Sequence, residues 1–161
     1  MSLLDLQIKD GVARLVINRP EARNAMTRAM WADLVSMLQQ LADDDRARCV
    51  VLTGTDPAFC AGGDVKAMVD RLDGKHALTQ DEEAVLIRGF MDASRLLHEM
   101  PKPTLAVVNG ACAGAGFSLA MACDLRMASS TAKFTTAFAR VATSGDFGGS
   151  WFLSRILGTA K

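Results

Sequence analysis

The sequence predicts an α/β domain assembled from repeated strand–loop–helix units. Two observations carry this. Residues 49–69 (CVVLTGTDPAFCAGGDVKAMV) and 105–122 (LAVVNGACAGAGFSLAMA) echo one another, each running from a β-branched stretch through small residues into a helical stretch. Along the rest of the chain, strand-like patterns alternate with segments of helical spacing, as in other α/β proteins. At 161 residues, 50% hydrophobic and 22% charged, the chain suits one soluble domain with its own core.

Leu4, Leu6 and Ile8 alternate with polar residues, Asp10-Gly11 marks a turn, and residues 12–17 continue in the same style, so residues 4–17 read as a hairpin. Asn18-Arg19-Pro20-Glu21 breaks the pattern. Met30, Trp31, Leu34, Val35, Leu38 and Leu41 then form a helical stripe over residues 27–41, with Thr27 placed to cap it. A buried strand is expected at 48–53. A loop through Gly54, Asp56-Pro57 and Gly62-Gly63 follows, then a short helix from about residue 64. Residues 71–80 read as a polar, mobile stretch. Helical spacing at Val85, Phe90, Met91, Ser94 and Leu97 covers 81–100, and Pro101 stops it. A second buried strand at 104–108 leads to a small-residue loop at 110–116 and a helix at 116–122. Short strands are expected at 124–128 and 133–135, and a last amphipathic helix begins near Gly148.

Eighteen basic residues balance eighteen acidic ones, which gives no electrostatic reason to expect nucleic acid or an anionic membrane as partner. Cys49, Cys60, Cys112 and Cys123 show no CxxC pairing and no histidine cluster. They read as small buried thiols in a reducing cytoplasm, not as a metal site. The start, MSLLDLQIKDG, lacks a basic segment followed by an apolar run, so a secretory signal is not expected. Residues 103–123 carry no charge and would be long enough to span a membrane, but Pro103 and Asn109-Gly110 interrupt them. A strand, a tight loop and a buried helix fit better. His76 and His98 lack partners for a triad and read as structural or surface residues.

The glycine loops match neither G-x-x-x-x-G-K-[ST] nor G-x-G-x-x-G, which argues against phosphate-loop and dinucleotide sites. What they offer is different. A strand feeding a helix through Gly and Ala leaves helix-start amides unpaired and lets a ligand approach the backbone. Two such units side by side could aim two N–H groups at one point, the geometry of an oxyanion hole.

Several blocks resemble the enoyl-CoA hydratase/isomerase (crotonase) family, in the family's order and over essentially the whole chain. They are Asn18-Arg19-Pro20 with Asn24-Ala25-Met26, Phe59-Cys60-Ala61-Gly62-Gly63-Asp64, and Pro101-Lys102-Pro103 leading into Val108-Asn109-Gly110. Ala113-Gly114-Ala115-Gly116, Leu119-Ala120-Met121-Ala122-Cys123-Asp124 and Ala132-Lys133-Phe134 continue the match. The resemblance implies a crotonase-like spiral of repeated ββα units, with residues 1–161 forming the N-terminal core. Family members commonly continue with helices that pack trimers or hexamers, and this sequence does not include them. It also implies an acyl-CoA thioester as substrate, with coenzyme A part of that substrate and no separate cofactor or metal.

By the same resemblance, the oxyanion amides fall at Gly63 and Ala115. The coenzyme A arm would pass Ala61, Gly62, Asp64, Val65, Lys66 and Gly114. Lys66 also reads as a plain surface charge, and Asp64 as an N-cap that holds its loop. Hydratases of the family place two glutamates over the substrate; the matching positions here are Ser118 and Phe138, which disfavours hydration by that pair. Asp146 matches an aspartate that some members use as acid/base. Its surroundings resemble the Pro-Asp-x-Gly-Gly-Thr-Trp of ring-isomerising phenylacetate-pathway enzymes, with Gly145 replacing the proline. The expected activity is therefore double-bond isomerisation with Asp146 as acid/base. Three rivals are hydration, a dehalogenase-like use of Asp146 as nucleophile, and an acyl-CoA-binding protein without turnover. A purely structural reading makes Asp146 the N-cap of the last helix and Ser118 a packing residue.

Overall fold

The computed structural model describes residues 2–72 and 78–160. Strands β1 (Leu4–Lys9) and β2 (Val12–Ile17) form the expected hairpin. Helix α1 (Arg28–Asp43) follows, and the Thr27 hydroxyl accepts a hydrogen bond from the Met30 N–H, as a capping threonine does. Its apolar stripe, Met30, Trp31, Leu34, Leu38 and Leu41, is buried. At its far end the Lys102 ammonium donates to the carbonyls of Leu41 and Asp44, satisfying acceptors that the helix leaves open.

The chain then winds in turns. Each turn sends one strand into a five-stranded sheet and one into a three-stranded sheet. β3 (Cys49–Gly54) is followed by β4 (Ala58–Cys60) and α2 (Val65–Leu72); α3 (Gln80–Glu99) leads into β5 (Thr104–Val108), β6 (Ala111–Ala113) and α4 (Ala115–Ala122); β7 (Leu125–Ala128) and β8 (Lys133–Thr135) precede a 3₁₀ turn at Phe138–Val141 and α5 (Gly149–Leu157). The large sheet has the order β1-β2-β3-β5-β7 and the small one β4-β6-β8. Beyond the hairpin, these pairings are parallel. This is the expected spiral of ββα units.

Burial explains why each segment takes its form. Inward positions of β2, β3 and β5 (Ala13, Leu15, Ile17, Val50, Leu52, Ala106, Val108) alternate with more exposed ones and meet α1 and α3 in one core. α4 has no polar face, and all eight of its residues are buried, so it is a central helix and not a surface one. No helix among the described residues is long and apolar enough to cross a membrane. Thr79 and Glu82 form a capping box at the start of α3.

Two expectations need correction. The loops read at 54–63 and 110–116 contain β4 and β6. Each is three residues long, too short to show alternation, and they exist because they pair with one another across successive turns. The polar stretch at 71–80 is partly helix α2 and the start of α3; residues 73–77, His76 among them, lie outside the described residues.

Asn24 fastens the first turn to the second. Fully buried, its side-chain oxygen accepts from the Arg19 N–H at 2.8 Å, and its amide donates to the carbonyls of Thr55 (2.8 Å) and Ala58 (2.6 Å). Its φ of 58° is one that asparagine tolerates better than most residues. Asn24→Ala should therefore destabilise the fold by about 2–4 kcal/mol, because it strands three backbone groups, one of them fully buried; urea unfolding of both proteins measures this.

Candidate active site

The first glycine loop runs beside Met26. The Met26 N–H donates to the Gly62 carbonyl at 2.8 Å, and the Asp64 N–H donates to the Met26 carbonyl at 3.1 Å, so Gly63 pairs with Met26 as an isolated parallel bridge. In such a bridge the middle residue's own N–H points the other way. Among the described residues the Gly63 N–H has no partner. The second loop ends at Gly114, whose φ of 54° turns the chain into α4. Ala115 is the first residue of that helix, and its N–H has no intrahelical acceptor.

The two loops adjoin. Gly62 has φ of 94°, and a Cβ there would stand 3.0 Å from the Ala113 carbonyl oxygen and 3.4 Å from the Ala115 nitrogen. That space is tight for a side chain, and the positive φ favours glycine there as well. The sequence-derived residues Gly62, Gly63, Gly114 and Ala115 are thus brought together, and the main-chain N–H groups of Gly63 and Ala115 have no acceptor among the described residues.

Asp64 holds the first loop. One carboxylate oxygen accepts from the Ala67 N–H at 3.1 Å, capping α2, and the other accepts from the Arg19 guanidinium at 2.7 Å. Burial pushes its carboxyl up, but the Arg19 hydrogen bond and charge and the helix-start amides outweigh this and hold it below the usual range. Ala61 donates its N–H to the Arg23 carbonyl. Val65 and Lys66 are exposed on the first turn of α2, and Met68 leans over Gly63 from the next turn.

Asp146 lies in the segment between the 3₁₀ turn and α5. Its Oδ1 is buried and has no hydrogen-bond partner among the described residues. Burial raises its carboxyl to about 6, against a smaller opposing pull from its own N–H. The reading of Asp146 as an N-cap is not met: Gly148 occupies the cap position of α5 without a side-chain bond. It is the Asp146 main-chain carbonyl that accepts from the Gly149 N–H, at 3.1 Å.

Ser118, fully buried in the first turn of α4, sits between this segment and the second glycine loop. Its hydroxyl lies 3.1 Å from the Asp146 carbonyl and 3.4 Å from the Gly114 carbonyl, and can donate to either. Phe147, at φ of 50°, turns its ring into the core, 4.4 Å from the ring of Trp31 on α1. Phe138 spans the same two segments: its ring lies within 4 Å of where side chains would begin at both Gly114 and Gly145. Phe138 and Phe147 thus flank the segment that bears Asp146, and burial is the physical cause of its raised value.

The whole chain can be matched to known proteins. A family model described as enoyl-CoA hydratase/isomerase matches residues 7–161. The chain belongs to the enoyl-CoA hydratase/isomerase family. It is 37% identical to 1,2-epoxyphenylacetyl-CoA isomerase of Escherichia coli (strain K12) across all of this chain and 60% of that protein. An enoyl-CoA hydratase from Polaromonas sp. JS666 superposes with a TM-score of 0.85 at 34% identity, over 96% of this chain and 58% of that one. A Thermobifida fusca YX enoyl-CoA hydratase homologue, solved in complex with CoA, gives 0.86 at 30% identity over 97% and 60%. The chain spans about three-fifths of the length of these relatives.

Within this enoyl-CoA hydratase/isomerase chain, His98 stands apart from the glycine loops, edge-on to the rings of Trp151 and Phe152. Reading the sequence missed the clamp by Asn24, the Arg19–Asp64 pair and the wall formed by Phe138. Asn18-Arg19-Pro20 and Asn24 did stand out as a block, but nothing local says what they reach across to.

The raised Asp146 carboxyl has a consequence for stability. Below about pH 3 the group is protonated in folded and unfolded chains alike and costs nothing. As pH rises, the unfolded chain loses this proton first, so stability falls until the folded carboxyl ionises near pH 6. Allowing for partial access to water, the penalty above that pH is about 1–2 kcal/mol. Asp146→Asn should match the parent's stability at about pH 3 and exceed it by that amount at pH 7, as read by denaturant unfolding at both pH values.

Proposed function

We propose that this chain carries the core of an acyl-CoA double-bond isomerase, with the Gly63 and Ala115 N–H groups as an oxyanion hole and Asp146 as acid/base. The observation that carries the reading is the half-buried Asp146 carboxylate: its Oδ1 is buried without a partner among the described residues, its carboxyl is raised to about 6, and its main-chain carbonyl lies within reach of the Ser118 hydroxyl on the helix that Ala115 opens. A carboxylate with no structural bond to keep, poised near neutral pH, suits proton transfer.

In the proposed reaction the thioester oxygen accepts hydrogen bonds from the two amides. Asp146 removes a proton from the carbon next to the thioester. The electron pair left behind delocalises through the carbonyl and the adjacent double bond as a dienolate. The same carboxyl returns the proton at the far carbon, so the double bond shifts and no other reactant is consumed. Each oxyanion donor is worth about 3–4 kcal/mol of barrier in comparable sites. Coenzyme A enters and leaves as part of the substrate.

Isomerisation is favoured over hydration by what flanks the base. Hydration needs a second group to activate or hold water. The positions from which related hydratases supply glutamates carry Ser118, whose hydroxyl is committed to backbone carbonyls, and Phe138, which has no proton to move. The name of the Escherichia coli relative, an isomerase acting on a CoA thioester, points the same way.

The test is to mix the protein with a 3-enoyl-CoA and follow the conjugated thioester by ultraviolet absorbance. Asp146→Ala should lower kcat by about 10²–10⁴-fold; equal turnover by the variant would refute the assignment. Because the base must be ionised, kcat/KM should rise about tenfold per pH unit at low pH and level off above about pH 6, the value of the free carboxyl.

A further inference from the structure

Two thiols lie directly beneath the glycine loops. Cys60 on β4 and Cys112 on β6 are cross-strand partners in the small sheet, and both are fully buried. The Cys60 sulfur accepts from the Gly62 N–H at 3.4 Å, so it pins the first loop one residue before Gly63. The Cys112 thiol donates to the Gly116 carbonyl at 3.6 Å and so pins the second loop one residue after Ala115. The fit above them is close: a Cβ on Gly116 would lie 2.5 Å from the Cys60 carbonyl oxygen and 2.8 Å from its sulfur. α4 therefore rests against Cys60 itself. Burial pushes the Cys60 thiol up to about 12 and raises that of Cys112 as well, so neither is a nucleophile or a redox-active thiolate at neutral pH.

We propose that Cys60 and Cys112 are a paired set of positioning residues that fix the two oxyanion loops against each other, each sulfur bonded to one loop's backbone. The assignment rests on the function proposed above for its catalytic consequence, but its structural half does not. Sulfur suits the task. A thiol is small and apolar enough for a dry core, yet it can accept a weak bond from an amide or give one to a carbonyl. Alanine keeps the burial and loses the bond, whereas serine restores an acceptor and donor in nearly the same place.

Two readouts test this. The first is hydrogen exchange of the Gly62 amide, followed by NMR. Cys60→Ala should speed it by about tenfold, and Cys60→Ser should keep it near the parent rate. Equal exchange in the parent and Cys60→Ala overturns the proposal. If Cys60→Ala does not fold, α-aminobutyrate at position 60 keeps the unbranched shape, removes the acceptor and is read the same way.

The second readout is the 3-enoyl-CoA assay. Cys60→Ala and Cys112→Ala should each lower kcat by about three- to tenfold with little change in KM, and the serine variants should recover most of the loss. Unchanged kcat in both alanine variants, or equal losses in alanine and serine variants, would also overturn it. A parent protein without isomerase activity would defeat the proposed function alone, because Gly62 exchange still decides the positioning role.

Discussion

The site depends on how closely two backbones can approach. β4 and β6 are only three residues each, yet their pairing carries the chain of two successive turns to within van der Waals contact at Gly62 and Gly116. Neither position could hold a methyl group without moving a neighbouring carbonyl. That intimacy leaves the N–H groups of Gly63 and Ala115 unspent. Gly63 is bridged to Met26 through its neighbours, and Ala115 opens a helix. Secondary structure normally consumes such donors. Here the geometry of a bridge and of a helix start spares one from each loop.

Around this pair the protein sorts its carboxylates by environment. Asp64 is given an arginine and a helix start and stays firmly ionised as a fastener. Asp146 is partly buried and its Oδ1 has no hydrogen-bond partner among the described residues, so its proton is held more tightly. Two residues of the same chemistry are thereby set apart, one as a strut and the other as the proton carrier of the proposed reaction. The difference comes from what surrounds them: Arg19 beside one, and Phe138, Phe147 and Trp31 around the segment bearing the other.

Much of the fold was legible because it is written in periods. The hairpin, the stripe of α1 and the buried strands β3 and β5 follow alternation or helical spacing, and Thr27 caps where its position says it should. β4 and β6 were not legible, since three residues show no period and their reason for existing is a partner about 50 positions away in the chain. The same limit applies to the site. Glycine and alanine between strand and helix announced a loop that leaves amides free, and the family resemblance singled out Asp146. Nothing local could announce that the Asn24 amide reaches Ala58, that Arg19 reaches Asp64, or that Asp146 leaves the cap of α5 to Gly148. Those are facts about which turns of the spiral face each other.

Ser118 carries a single hydroxyl proton and has two main-chain oxygens within reach, one on the segment bearing Asp146 and one at the turn that presents Ala115. It can serve only one at a time. Rotation about a single side-chain bond therefore passes a restraint from one half of the site to the other. A bond given to one side is withheld from the other, so this hydroxyl couples the segment bearing Asp146 to the turn at Gly114.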